Sequence, residues 1–274
     1  MSDTRTPEPR ADGWRSWLGG ERAGRTALIV AVVALVLAAL PYVPGAGFEQ
    51  RVRGYLLANP TVLDEMVQAR EAHQQTQLAD QTREAIAANP RLLAPDPRDP
   101  AIGPVDAKVT VVEFFDYRCP GCKAVAADYM EVVEANPDVR FVFKEWPILD
   151  RPSDQTSSYA ARAALAAHAQ GRYLPVHQAL MAEGALDPAA VDRILAENGV
   201  DLARAKIDMA SPETRRHIAD VHLAATSLHL VGTPSFLING EQPTARQEGR
   251  IVPTIAPQAI ANAIGEAKRG AGAS

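Results

Sequence analysis

Val111-Val-Glu-Phe-Phe-Asp-Tyr-Arg-Cys-Pro-Gly-Cys-Lys-Ala124 contains both cysteines of the chain, Cys119 and Cys122, spaced as Cys-x-x-Cys. The residues leading into them, Val109 to Phe115, are β-branched or aromatic with one carboxylate, Glu113, and predict a buried strand. From Cys122 to Ala135 the apolar side chains Val125, Tyr129, Val132 and Val133 fall at helical spacing, and Pro120 suits a first helical position. The two thiols therefore stand at a strand-to-helix junction.

A thiolate in that place faces unsatisfied backbone N–H groups and the positive end of the helix dipole, so its pKa falls. Cys119 is expected to be the more exposed thiol, because the helix carries Cys122 inward. The chemistry this predicts is thiolate attack on a disulfide, a mixed disulfide, and resolution by the second thiol. An inert structural disulfide across so short a loop is the bland alternative. A zinc site needs about four ligands, and no second Cys pair or nearby His accompanies this one. No metal is expected, and no cofactor beyond a redox-active Cys119–Cys122 disulfide.

With 274 residues there is room for a sizeable core and appendages. A net charge of −5, without a run of Lys or Arg, argues against a nucleic-acid partner. Two cysteines in so long a chain cannot form a disulfide framework.

Residues 1–25 are polar, carry Arg5, Arg10, Arg15, Arg22 and Arg25, and read as a disordered cytoplasmic tail. Thr26 to Phe48 has no charge, and Thr26–Val43 just reaches the roughly 17–25 residues of a transmembrane helix. The segment 26–47 thus reads as an inner-membrane anchor through residues 26–43, with the N-terminus cytoplasmic. A cleaved signal is the alternative, since Gly45, Ala46 and Gly47 are small. In both cases the rest of the chain is expected to be periplasmic or otherwise extracytoplasmic, where disulfides persist.

Residues 48–94 read as a helical stalk. Phe48, Val52, Tyr55 and Leu56 form one stripe, and Asn59 as N-cap with Pro60 at the first position restarts the helix. The stripe continues through Val62, Leu63, Met66 and Val67, then fades between Gln68 and Ala85. So weak a stripe predicts docking or homo-oligomerisation through residues 48–93, a solvated spacer being the alternative. Residues 95–104 are Pro- and Asp-rich, a linker.

The domain expected at 105–268 has a second strand over Asp138–Trp146 (Val139, Phe141, Phe143 and Trp146 alternating), parallel to the first through the intervening helix. Residues 154–228 predict an all-helical insertion. Its histidines (His168, His177, His217, His222, His229) share no metal-binding face and are expected at the surface or core edge. Ser235–Ile238 is a third strand, turning at Asn239-Gly240 towards a partner near Arg246–Arg250. Pro234 directly before that strand invites a cis bond after Thr233. A helix over Pro257–Lys268 precedes a tail at 269–274.

Glu-Phe-Phe-x-Tyr-x-Cys-Pro-x-Cys at 113–122 and Val-Gly-Thr-Pro-Ser-Phe at 231–236 together resemble the DsbA family of thioredoxin-fold disulfide oxidoreductases, over about residues 101–268. Arg51-Val-Arg-Gly-Tyr-Leu-Leu-Ala-Asn-Pro60 is similar to N-terminal segments of its membrane-anchored or oligomeric ScsC- and Com1-like branch. The resemblance implies an α/β thioredoxin fold with a helical insertion. It makes Cys119 the nucleophile and Cys122 the resolving thiol, and it places Pro120, Gly121, Thr233 and Pro234 against the substrate, the last two as a cis-Pro loop. Glu113 would be the buried carboxylate that assists proton transfer at the resolving thiol, a strand residue facing water being the alternative; strand register alone suggests Lys144 as its charge partner.

The best-known oxidases of that family carry His where this chain has Gly121, so a less acidic Cys119 and a weaker oxidant are expected here. The function implied is thiol:disulfide exchange with cysteine-containing exported proteins and with a membrane or periplasmic redox partner. An oligomeric disulfide isomerase, or a non-catalytic chaperone or copper-delivery module, would be the alternatives.

Overall fold

The computed structural model describes residues 21–39, 47–247 and 250–272. The chain divides into two units, residues 1–69 and 70–274. The first holds α1 (Glu21–Ala39), α2 (Phe48–Ala58) and the start of α3 (Thr61–Ala88). Residues 21–25, expected in the tail, open α1 and bring it the charges of Glu21, Arg22 and Arg25. Its uncharged remainder, Thr26 to Ala39, is about 21 Å long, short of a hydrocarbon core of about 30 Å. No described helix is long and apolar enough to cross a membrane; residues 40–43 of the expected span lie outside the described residues.

Asn59 does not cap α3. Its backbone N–H and its side-chain amide both donate to the Tyr55 carbonyl at 2.9 Å, so it closes α2 instead. A side chain turned back over the preceding helix is not available to the N–H groups of the next one.

In the second unit, β1 (Ala101–Ile102), β2 (Thr110–Phe115), β3 (Arg140–Glu145) and β4 (Ser235–Ile238) form one sheet in the order β1-β3-β2-β4. β2 and β3 are parallel, joined over α4 (Pro120–Glu134), while β1 and β4 run antiparallel to their neighbours. β1 lies inside the stretch expected to be linker. It is too short to show a period, and its Ala101 and Ile102 pair with Val142 and Phe141.

Both faces of β2 and β3 are buried. Val111, Phe115, Phe141 and Phe143 pack under α4, whereas Val112, Phe114, Val142 and Trp146 face the other way. The expected alternation in β3 therefore breaks at its end. Trp146 joins the second face, and Glu145 is the residue that follows Phe141 and Phe143.

The insertion comprises α5 (Thr156–Ala169), α6 (Tyr173–Ala182), α7 (Pro188–Glu197), α8 (Leu202–Ala210) and α9 (Pro212–Ser227). Asp187, Asp201 and Ser211 each accept a bond from the backbone N–H three residues on, which fixes where α7, α8 and α9 begin. The first four helices join the α4-side core, and Val221 and Ala225 of α9 cover the opposite face. Residues of α3 beyond Arg70 dock on that opposite face too: Thr82 is buried and its hydroxyl donates to the Leu228 carbonyl at 2.7 Å. Two of the insertion histidines are not peripheral, since His177 and His217 are buried.

After the turn at Asn239-Gly240, where both residues have positive φ, Glu241 makes an isolated bridge back to Ile238. Pro243 has no N–H to extend that ladder. The chain instead forms a separate hairpin, β5 (Thr244–Gln247) with β6 (Arg250–Pro253), so the partner expected for β4 near Arg246–Arg250 pairs with β5. The last helix, α10 (Pro257–Gly272), runs through most of the expected tail.

Candidate active site

β2 ends against a turn braced by Asp116, whose carboxylate accepts from the N–H groups of Arg118 at 2.8 Å and Leu149 at 2.9 Å. That turn delivers Cys119 as the N-cap residue of α4, with Pro120 in its first turn. Both cysteines are free thiols, Cys119 8% exposed and Cys122 1%. The Thr233–Pro234 bond is cis, and the loop it shapes lies directly on the thiols: Cys119 Sγ is 3.1 Å from the Thr233 carbonyl oxygen. Gly121 lies between them. A Cβ there would stand 3.4 Å from Pro234 Cδ and 3.7 Å from Cys119 Sγ, ordinary contact distances.

The two sulfurs differ in acidity. Cys119 is lowered to about 5, first because the Cys122 thiol donates to it. The Thr233 hydroxyl and the backbone N–H groups of Cys122 and Gly121 add to this against the opposing effect of burial. This is what the start of a helix offers a thiolate, and it acts without a His at Gly121. Cys122 is pushed far up by the same donated bond and by burial.

Glu113 lies beneath, 3% exposed. Its Oε2 has no hydrogen-bond partner among the described residues, and burial raises its carboxyl to about 8. Lys144 is not its partner. In the β2–β3 register Glu113 faces Phe143, whereas Lys144 is opposite Phe114 and lies on the other face of the sheet. There Lys144 Nζ bonds Asp99 at 2.5 Å, and His217 Nε2 stands 3.1 Å from the same carboxylate.

The sequence reading missed a second buried carboxylate, Glu145, on the Glu113 face. The hydroxyls of Tyr117 and Tyr173 donate to its Oε1 at 3.0 and 3.1 Å. The same hydroxyls lie 3.0 and 3.4 Å from His177 Nδ1. The available signal was Glu145 itself, a carboxylate in phase with Phe141 and Phe143, as Glu113 is in phase with Val111 and Phe115. Among the described residues no group of three His, Cys, Asp or Glu could hold a metal ion.

A family model described as Thioredoxin matches residues 96–251, and one described as Copper resistance protein ScsC N-terminal domain matches residues 46–77. A thioredoxin-like oxidoreductase from Silicibacter pomeroyi DSS-3 is 39% identical with a TM-score of 0.56, covering 66% of this chain and 98% of that one. Proteus mirabilis ScsC in a transitional conformation is 25% identical with a TM-score of 0.56, covering 82% of this chain and 99% of that one. Among curated proteins, Na(+)/H(+) antiporter NhaA 3 of Salinispora tropica is 36% identical over 147 residues, 53% of this chain and 22% of that protein. The chain spans about a quarter of the length of the curated relatives it matches.

Proposed function

The chain belongs to the thioredoxin family, and on that premise we propose that it is a thiol:disulfide oxidoreductase acting on cysteine-containing proteins outside the cytoplasm. One observation carries the reading: two thiols at a helix start with opposite acidities, the acidic one 3.1 Å from the carbonyl of a cis-Pro loop. Cys119 is the nucleophile. Its thiolate attacks a substrate disulfide, one substrate sulfur leaves as a thiolate, and a mixed disulfide remains on Cys119. Cys122 gives its proton to Glu113 and attacks Cys119, so the enzyme disulfide closes and the second substrate thiol departs.

Pro120 and Gly121 border the acidic sulfur, and the Thr233 backbone offers an edge to an extended substrate segment. A thiolate stable near pH 5 favours the reduced enzyme and therefore a disulfide form that oxidises well. A value near 5 is still above the value of about 3.5 at the most acidic sites of this kind, so the weaker oxidant expected from Gly121 remains part of the reading. Export is supported by the uncharged run from Thr26, which we assign to an anchor through residues 26–43 with the N-terminus cytoplasmic. A periplasmic or membrane redox partner would recycle the enzyme.

A second reading, an oligomeric isomerase, is favoured by the exposed Phe48, Tyr55, Leu57, Leu63 and Met66 in a stretch similar to the ScsC N-terminal domain. Insulin reduction and refolding of scrambled ribonuclease test both readings, on the protein with and without residues 47–69. Exchange that needs Cys119 supports the oxidoreductase. Ribonuclease refolding that is lost with residues 47–69, while insulin reduction survives, supports the isomerase. A protein inert in both assays contradicts the two together.

A further inference from the structure

Glu113 is only 3% exposed and its Oε2 is fully buried, so a proton that it takes from Cys122 needs a route to solvent. Glu113 and Glu145 occupy diagonal positions on one face of the β2–β3 pair, Glu113 opposite Phe143 and Glu145 opposite Phe115. With strands about 4.8 Å apart and a rise of about 3.3 Å per residue, such a diagonal in a parallel pair puts Cα atoms about 8 Å apart, within reach of long side chains. The Glu113 charge is felt at Cys122 and Tyr129 of α4, at Tyr117 before it, and at Tyr173 and Glu145. Asp116 is the other acid that bears on Glu145.

From Glu145 the hydrogen bonds run through both tyrosine hydroxyls to His177 Nδ1. His177 in turn lines a cleft of about 350 Å³ between α4 and α6, beside Lys123, Met130 and Met181. Lys123 turns away from it, its Nζ donating to the carbonyls of Leu180, Met181 and Glu183.

We infer that Glu145, with Tyr117, Tyr173 and His177, is the proton conduit between the buried Glu113–Cys122 pair and the cleft between α4 and α6. Glu145 is thus a positioning residue that acts through Glu113, and the inference rests on Cys119 and Cys122 being the exchange site. In the resolving step the Cys119–Cys122 bond forms and the bond from Cys119 to the substrate sulfur breaks. The substrate leaves as a thiolate with the electron pair. The Cys122 proton passes to Glu113, along the conduit to the cleft, and through water to the departing thiolate. In the reverse direction the same groups return a proton to Cys122. General acid–base assistance of this kind is worth about 10²–10⁴ in rate.

The reduced protein mixed with dithionitrobenzoate separates the steps. The first nitrothiobenzoate is released by Cys119 and the second by Cys122 as it resolves the mixed disulfide. Glu145→Gln keeps volume and hydrogen bonding but removes the titrating proton. It should slow the second phase about tenfold and flatten its pH profile between about pH 5 and pH 9, with the first phase within twofold of wild type. Tyr173→Phe removes one hydroxyl and should slow the second phase about threefold, which keeps the test alive should Glu145→Gln not fold. A second phase in these variants indistinguishable from wild type at every pH overturns the conduit alone. A wild type that releases a single equivalent overturns the exchange reading and the conduit with it.

Discussion

On one face of the β2–β3 pair Lys144 and Asp99 are buried together, bonded at 2.5 Å with His217 beside them. On the other face Glu113 and Glu145 are as deeply buried, with no salt bridge to either among the described residues. Consecutive residues of β3, Lys144 and Glu145, thus enter opposite regimes. A buried ion pair stays charged because each partner stabilises the other. A buried carboxyl without a cation has its pKa raised, for Glu113 to about 8, where both protonation states are populated and the ionised form can take the Cys122 proton. The difference teaches which polar groups hold the fold together and which are available for chemistry: the paired face fastens the segment before β1 to the sheet and α9, and the unpaired face lies beneath the thiols.

Substitutions should therefore have opposite signs on the two faces. The largest effect is expected from Lys144→Met, which leaves Asp99 buried and uncompensated. It should cost about 3–5 kcal/mol in urea unfolding, with the Cys119 thiolate titration unchanged. A loss under about 1 kcal/mol would mean that the pair does not hold this face.

Glu113→Gln should stabilise. The Glu113 carboxyl rises from 4.5 to about 8 on folding. The native state therefore keeps a proton that the unfolded chain releases. Its contribution is fully present below about pH 4.5 and is lost as the pH rises through about 8. The wild type should accordingly lose roughly 3–5 kcal/mol across that window relative to Glu113→Gln, at 1.36 kcal/mol per pH unit. Parallel stability curves for the two proteins would place Glu113 among the paired groups.

The smallest effect belongs to the rim of the paired face. Arg98 bonds Asp220 at 2.9 Å, but Asp220 is 45% exposed. Asp220→Asn should cost less than about 1 kcal/mol and lose even that in high salt.

The sequence made the centre of this arrangement legible because its signals are local. Val109 to Phe115, Pro120 and the helical spacing after Cys122 lie within one stretch, and Thr233-Pro234 abuts its own strand. What could not be read depends on partners far away in the chain. His177 meets Tyr117 across 60 positions, and Lys144 meets Asp99 across 45. Those distances are closed by tertiary packing, which no periodicity records. The expected Lys144–Glu113 pair fails for a related reason: the parity of the pleat sends Lys144 to the face opposite Glu113, although the two residues lie on neighbouring strands. β1 escaped because a two-residue strand has no alternation to detect. The stretch 48–69 showed a helical stripe but not its partner, and in its own unit that stripe is exposed.

The unpaired face and the start of α4 serve one acidic sulfur, Cys119, held in front of a protonated Cys122. Thiolate absorbance of the reduced protein, titrated from about pH 3 to pH 10, tests it directly. One thiolate should form with a midpoint near 5. It should vanish in Cys119→Ser, and in Cys122→Ala it should shift upward because the donated bond is gone. A midpoint near the ordinary thiol value of about 8.5, or one that survives Cys119→Ser, would contradict the claim.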